Sequence, residues 1–174
     1  MRVVNRLGNV SIMVVAGLLL SGAALTSAPP SGAQEVTVVG VFVDPDSGSR
    51  LVMLEGKRDK RTLAMVIGAA EATGIAVGLH NMTPPRPLTH DLFLTLFGRL
   101  NVAVAKVVIT DLREHTYYAT VFLTASGAAM ELDSRPSDAI ALALRAKAPV
   151  YATDVVLDKA GQRPGAPAGS GQRI

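Results

Sequence analysis

The sequence predicts a single α+β domain in which helices pack on a mixed, largely antiparallel sheet. Two observations support this fold class. Runs rich in β-branched residues occur in groups separated by turn residues, and apolar segments with helical spacing interrupt those groups. Strand groups interrupted by helices are typical of α+β folds. The chain has 174 residues, 49% of them hydrophobic, which is enough for one domain with a sizeable core.

The predicted strands fall into hairpins. The first two runs flank the turn sequence Pro-Asp-Ser-Gly-Ser, and the two clearest runs are joined by the short connection Arg-Glu-His. Both connections are short enough to make their strands antiparallel. The predicted strands cover 36–43, 51–54, 62–68, 103–111, 117–124, 129–132 and 150–153.

Helical spacing of apolar residues predicts four helices. The second has the strongest apolar face, because Leu92, Leu96 and Leu100 recur every four residues. The first contains Gly74 and Gly78, which weaken a helix but let another backbone approach closely. The predicted helices cover 69–82, 88–101, 139–148 and 154–161.

The first 33 residues have the features of a secretory signal peptide. Arg2 and Arg6 precede an uncharged apolar run over 11–25. That run is short for a membrane span, which needs about 20 residues. Small side chains precede Gln34 and predict cleavage before it. An uncleaved membrane anchor is the alternative interpretation of this segment.

A cleaved signal peptide divides the chain into three parts. We expect the signal peptide over 1–33, a folded domain over 34–160 and a disordered Gly/Pro/Ser-rich tail over 161–174. The mature protein should then be exported, to the periplasm or the cell exterior. After cleavage it should have no stable membrane partner.

Composition restricts the chemistry of the domain. The chain has no cysteine, which excludes disulfides, thiolate catalysis and cysteine–metal sites. Without Arg2 and Arg6, the chain has 15 basic and 14 acidic side chains, which gives a net charge of +1. Bulk charge therefore gives little support for nonspecific nucleic-acid binding. The dense basic run 57–61 is better explained as a solvated hairpin tip or connection than as a phosphate-binding patch.

Two polar segments at predicted helix starts are candidates for anion binding. A helix N-terminus offers free N–H groups and the positive end of the helix dipole, and a nearby arginine adds a planar cation suited to phosphate. Arg86 precedes the helix that Thr89 is expected to cap. Arg135 precedes the helix that Ser137 is expected to cap. These four residues are the predicted substrate-binding set.

The same segments contain carboxylates and a histidine. Asp91, Asp133 and Asp138 could supply oxygen ligands to a hard cation such as Mg²⁺, and Glu71 lies near the start of the first helix. His90 could act as a general acid or base, because histidines titrate near neutral pH. Each residue also has a structural explanation, as a helix cap, a dipole partner or half of an ion pair.

Four blocks of the sequence resemble the bifunctional nuclease domain family. They read PPRPLTHDLF, ITDLREHTYYATVFL, DSRPSDAIALALRAKAPVY and VLDKAG, and the resemblance extends over roughly 36–161. The resemblance implies a single domain that degrades both DNA and RNA and forms a homodimer or a higher homo-oligomer. The positions that match the family's polar motifs are Ile67-Gly68, Glu71-Ala72, 85–91, Asp133 and 135–138.

This resemblance implies a nuclease that hydrolyses phosphodiester bonds of DNA, RNA or both. The expectation that it is exported comes from the predicted signal peptide, which is itself a departure from the family. The sequence departs from the family where 64–66 reads Ala-Met-Val in place of Pro-Ile-Trp, and it contains no tryptophan. The alternative is therefore a non-catalytic binding or assembly module that holds an anionic ligand or a protein partner in the same polar cleft. The implied catalytic residues are Arg86, His90, Asp91 and Arg135, and the implied ligands of Mg²⁺ or Mn²⁺ are Glu71, Asp91, Asp133 and Asp138.

Overall fold

The structure is a computed structural model that describes residues 30–164 and, as backbone, residues 172–173. The predicted signal peptide over 1–33 thus lies outside the described residues except for its last four positions. Among the described residues, no helix is both long enough and apolar enough to cross a membrane.

The described residues form one mixed sheet with four helices. Seven strands follow the order β3-β2-β1-β7-β4-β5-β6, and a two-residue eighth strand pairs with β1. The strands are β1 Ala33–Val43, β2 Arg50–Gly56, β3 Thr62–Ile67, β4 Val102–Arg113, β5 Thr116–Ala125, β6 Ala128–Ser134, β7 Val150–Thr153 and β8 Gln172–Arg173. The helices are α1 Ala69–Leu79, α2 Thr89–Arg99, α3 Pro136–Ala146 and α4 Asp154–Ala160.

The sheet consists of two antiparallel units joined by β7. β1, β2 and β3 form one unit, and β4, β5 and β6 form the other. β7 lies between them, antiparallel to β1 and parallel to β4. This is the predicted α+β fold with a mixed, largely antiparallel sheet. The predicted strands 36–43, 51–54, 103–111 and 117–124 all lie within sheet strands.

The hydrophobic core lies between one face of the sheet and the helices. Val107 and Ile109 of β4 are fully buried in the main cluster, together with Ile75 of α1 and Ile140 of α3. Val108 belongs to a small second cluster, as expected when successive side chains point to opposite faces. Each fully buried aliphatic side chain contributes roughly 1.5–3 kcal/mol relative to exposure.

The caps predicted for α2 and α3 are wrong. The N-cap of α3 is Arg135, so Ser137 is the second helical residue and is buried. Pro136 explains the difference, because proline suits the first helical position, where its missing N–H costs nothing. The N-cap of α2 is Leu88, so Thr89 is the first helical residue.

The apolar stripe of α2 does not face the core. No residue of α2 is fully buried, and Leu92, Leu96 and Leu100 remain 49–65% exposed. Phe97, on the neighbouring side of the helix, is partly buried against the main cluster. The predicted apolar face is therefore present, but most of it forms a surface of the domain.

The basic run 57–61 is paired with acids. Each of its four cations contacts a carboxylate on a neighbouring element, or within the connection itself. This agrees with the interpretation of the run as a connection and leaves no cluster of unpaired cations there. The pairs are Lys57–Glu35, Arg58–Asp154, Lys60–Glu55, Arg61–Asp59 and Arg61–Asp158.

The C-terminal tail has two described parts, and both make backbone pairs. Gln162 forms an isolated bridge with Thr62, and β8 pairs with Phe42 and Val43 of β1. Tail residues 165–171 and 174, over which disorder is also expected from composition, lie outside the described residues.

Candidate functional site

The first turns of three helices meet on one side of the domain. Glu71 lies in the first turn of α1, His90 in that of α2 and Asp138 in that of α3, whose N-cap is Arg135. We call these four residues the Arg135 cluster. Together with Thr89 they line a central cavity of about 410 Å³. The structure therefore brings together residues that are far apart in the sequence.

Arg135 holds the cluster together. Its Nε and one terminal nitrogen donate to the two oxygens of Asp138 over 2.7 and 3.1 Å. Its other terminal nitrogen lies 2.9 Å from a carboxylate oxygen of Glu71. A guanidinium carries five N–H donors, so these contacts use three and leave two. Because the side chain is 66% exposed, those two donors can reach a ligand from solvent.

His90 is oriented by α1 and α3. Its Nε2 lies 3.5 Å from Oδ1 of Asp138. On the other side the ring packs on Gly74, where an added Cβ would lie only 2.9 Å from Cε1 of His90. Gly74 thus permits a close approach, but the sequence predicted another backbone there and the group that approaches is the His90 side chain. The result is a histidine held beside a carboxylate.

Asp91 points away from the cluster. Its Oδ1 accepts from Nε of Arg145 over 2.8 Å, and its Oδ2 accepts the backbone N–H of Leu88 over 2.8 Å. Burial raises the pKa of Asp91, but these two hydrogen bonds outweigh that effect and hold its pKa below the ordinary value. Both carboxylate oxygens are thus committed to structural partners.

Arg145 adjoins the site, although no sequence motif indicated it. Its side chain is only 8% exposed and donates to the carbonyl oxygens of Gly74 and Ala141 as well as to Asp91. Gly78 makes room for it, since an added Cβ there would lie 3.0 Å from a terminal nitrogen. Two glycines four residues apart in α1 indicate that another group packs closely on this helix. Their spacing does not identify that group as Arg145 of α3.

The other predicted site residues take different positions. Thr89 lines the central cavity, and Ser137 lines a neighbouring cavity of about 430 Å³ that also includes Arg135. Asp133 is exposed near the end of β6 and lines a third cavity with Arg135. Arg86 is exposed in the connection before α2, where it lines none of these three cavities.

The four carboxylates predicted as metal ligands are not gathered into one set. Glu71 and Asp138 both contact Arg135, whereas Asp91 contacts Arg145. Within residues 30–164 and 172–173, no group of three or more histidine and carboxylate side chains could hold a metal ion. The four carboxylates therefore do not form a common ligand set, and binding of Mg²⁺ or Mn²⁺ by any of them stays a prediction.

The cluster has the parts needed to bind and transform an oxyanion. Arg135 offers two guanidinium donors, and the N-termini of α2 and α3 add the positive ends of two helix dipoles. The neighbouring His90 and Asp138 form a pair that can accept and return a proton. Taken together, the fold and the cluster define a single-domain α+β protein with an arginine–histidine–carboxylate site at the N-termini of its helices.

Comparison with known proteins identifies the family. The model of the bifunctional nuclease domain matches residues 52–164, which is more than half of the chain. The chain therefore belongs to the bifunctional nuclease domain family, as the sequence motifs indicated. The match includes all members of the Arg135 cluster.

Relatives fall into two groups. Uncharacterized proteins from two strains of Mycobacterium tuberculosis are 38% identical over 127 residues, which cover 73% of this chain and 76% of theirs. Bifunctional nuclease 1 of Oryza sativa is 31% identical over 91 residues, which cover 51% of this chain but 28% of the rice protein. The similarity to the plant proteins is thus confined to part of a longer chain.

Proposed function

We propose that this domain hydrolyses phosphodiester bonds of DNA, RNA or both at the Arg135 cluster. The observation that carries the proposal is the exposed Arg135, which keeps two donors unused beside His90. Membership of the bifunctional nuclease domain family and similarity to a rice protein named as a bifunctional nuclease support the same reaction class.

In the proposed reaction, Arg135 binds the non-bridging oxygens of the scissile phosphate. Its planar guanidinium then stabilises the negative charge that develops during the reaction. His90 takes a proton from a water molecule, and the hydroxide formed attacks phosphorus. The P–O bond to the leaving group breaks, and His90 returns the proton to that oxygen, so one water and one diester give a monoester and a hydroxyl group.

The carboxylates have supporting roles in this proposal. Asp138 orients the imidazole of His90, from which it is separated by 3.5 Å. Glu71 and Asp138 together fix the orientation of Arg135. Arg86 has no hydrogen bond or ion pair with another described residue, so its guanidinium is available to a phosphate farther along the strand. No step in this scheme passes through a metal ion.

The decisive experiment compares three variants of the domain on single-stranded DNA and RNA. Arg135→Ala and His90→Ala should each reduce the rate of hydrolysis about 100-fold, the scale of a lost oxyanion donor or general base. Arg58→Ala is the matched control, because Arg58 is similarly exposed at 59% and ion-paired, but lies in the connection between β2 and β3. Circular dichroism should show that all three variants are folded.

The outcomes separate catalysis from simple binding. If the wild type turns over excess substrate and both cluster variants match it, the Arg135 cluster is not the site. If the wild type shows no turnover but binds oligonucleotides at a fixed stoichiometry, the domain is the binding module considered as the alternative. That alternative has its own support, since every charge of the cluster already has a partner. Repeating the assay with a chelator tests the predicted dependence on Mg²⁺ or Mn²⁺.

Export is a second part of the proposal. Its support is the charged N-terminus, the apolar run over 11–25 and the small residues before Gln34. N-terminal sequencing of the protein from its native host should begin near Gln34. Recovery of chains that start at Met1 from the cytoplasm would contradict export to the periplasm or the cell exterior.

We also propose that the domain forms a homodimer through α2. Leu92, Leu96 and Leu100 form an exposed apolar stripe, and soluble monomers rarely leave large contiguous apolar patches uncovered. The same stripe on a second copy would cover it, because in a two-fold symmetric dimer both subunits contribute the same surface to the interface. Light scattering on the mature protein should give twice the mass of one chain, and a stable monomer at micromolar concentration would contradict the proposal.

A further inference from the structure

A cavity beside the Arg135 cluster has an aromatic wall. It measures about 530 Å³ and lies between α2, α3 and the end of β6. Its apolar side includes Phe93, Phe97 and Leu142, and its polar side includes His90 and Arg135. We call it the aromatic cavity. Its volume lies within the roughly 300–1,000 Å³ of small-molecule sites.

Phe93 forms an exposed platform in this cavity. Its side chain is 45% exposed. It meets Phe97 edge to face, with ring centroids 6.1 Å apart and an interplanar angle of 66°. Phe97 is itself packed against the main core, so it supports the position of Phe93. The sequence has only four phenylalanines and no tryptophan, and two of those four line this cavity.

The position of Arg135 connects this platform to the proposed chemistry. Arg135 lines the aromatic cavity as well as the central cavity, so one phosphate held by its guanidinium would be next to both. In a nucleic acid, the group attached to a phosphate is a nucleoside with a flat aromatic base. Aromatic side chains beside a cationic group are the usual means of holding an unpaired base by stacking.

We infer that the aromatic cavity is a nucleobase subsite, in which Phe93 stacks on the base next to the phosphate bound at Arg135. The inference rests on the proposed function for the position of that phosphate. A base can enter the cavity only when it is unpaired, and extruding a base from a duplex costs a few kcal/mol. The substrate class is therefore single-stranded nucleic acid, with no need for a particular sequence because every base has an aromatic face.

The test measures binding separately from cleavage. The probes are fluorescent single-stranded oligonucleotides with phosphorothioate linkages, which resist hydrolysis, and matching abasic strands of the same length and charge. The wild type should bind the strand with bases about tenfold more tightly than the abasic strand, and Phe93→Ala should remove that difference. Binding of the abasic strand should be unchanged in Phe93→Ala, because Arg135 supplies that affinity.

Val155→Ala is the control variant. Val155 is an apolar residue of α4 that is 50% exposed, and it does not line the aromatic cavity. It should retain the preference for strands with bases. If Phe93→Ala loses affinity equally for strands with and without bases and also lowers the mass measured by light scattering, the apolar wall belongs to an interface between copies, and the subsite is overturned.

The remaining outcomes distinguish this inference from the proposed function. Base-dependent binding that needs Phe93, without hydrolysis of an ordinary phosphodiester strand, would support the subsite and reject the nuclease reaction. Hydrolysis by the wild type, with equal affinity for abasic and ordinary strands, would overturn the subsite and leave the nuclease proposal intact. Binding of a blunt duplex as tightly as of the single strand would also overturn it, since paired bases cannot enter the cavity.

Discussion

Replacing Asp91 by alanine separates a structural role from the catalytic role that the sequence predicted. The substitution removes a charged hydrogen bond to Arg145, worth about 1.5–3 kcal/mol, and a bond to the Leu88 N–H at the start of α2, worth about 0.5–2 kcal/mol. It also leaves Arg145 with a largely buried, unpaired charge. Removing one partner of a fully buried pair costs about 3–5 kcal/mol.

The structure places the expected loss near the lower end of these values. Asp91 is 30% exposed, so in the variant water can reach Arg145 and replace part of the lost ion pair. We therefore expect Asp91→Ala to lower the free energy of unfolding by about 3 kcal/mol, and the melting temperature by about 10 °C. Urea unfolding followed by circular dichroism measures the first quantity, and a thermal scan measures the second.

Two comparisons make this measurement specific. Asp133→Ala removes an exposed carboxylate and should change the free energy of unfolding by no more than about 0.5 kcal/mol. Combining Asp91→Ala with Arg145→Met should cost much less than the two single losses added together, because the residues interact directly. A loss below about 1 kcal/mol for Asp91→Ala, combined with abolished hydrolysis, would refute the structural role and restore the catalytic one.

Three further predictions test the packing, the titration behaviour and the surface of the domain. Gly74→Ala should cost about 1–3 kcal/mol in urea unfolding, since its Cβ would meet the His90 ring, whereas Gly98→Ala, with nothing within 4 Å, should stabilise the helix by about 0.5–1 kcal/mol. Burial raises the pKa of Asp91, but hydrogen bonds outweigh that effect and keep the pKa below its ordinary 3.8. The stability that this carboxylate contributes is therefore complete above pH 3.8, and it is lost as the pH falls through the lower pKa of the folded state. The difference in urea stability between wild type and Asp91→Ala should therefore shrink between pH 5 and the most acidic pH at which the protein folds, and a constant difference would contradict this assignment. Leu96→Glu should convert the proposed dimer to a monomer in light scattering without loss of fold, because Leu96 is exposed in one chain.

The sequence predicted the strands well because their signal is local. Alternation of side chains along 36–43 and 103–111 depends only on the strand itself, and both runs lie in the sheet. The N-caps predicted at Thr89 and Ser137 are wrong, although threonine and serine often cap helices. At Ser137 the preference of Pro136 for the first helical position decided the helix start instead.

Parts of the site needed three-dimensional information. The motifs indicated Glu71, His90, Arg135 and Asp138, and the structure brings these four together. The pairing of Asp91 could not be predicted, because its partner Arg145 lies on another helix and no local pattern connects the two. Similarly, spacing revealed the apolar stripe of α2, but spacing cannot say whether a core, a ligand or another chain covers such a face.

The position of β7 determines when the sheet can be completed during folding. β1–β3 and β4–β6 can each pair without β7, because their contacts are local. They become one sheet only when β7 enters between them, and Ala33 then pairs with Thr153. A chain that stops before Val150 would hold two separate sheets with unprotected edges, a state prone to aggregation. The two halves can therefore join into one sheet only in chains that extend beyond β7.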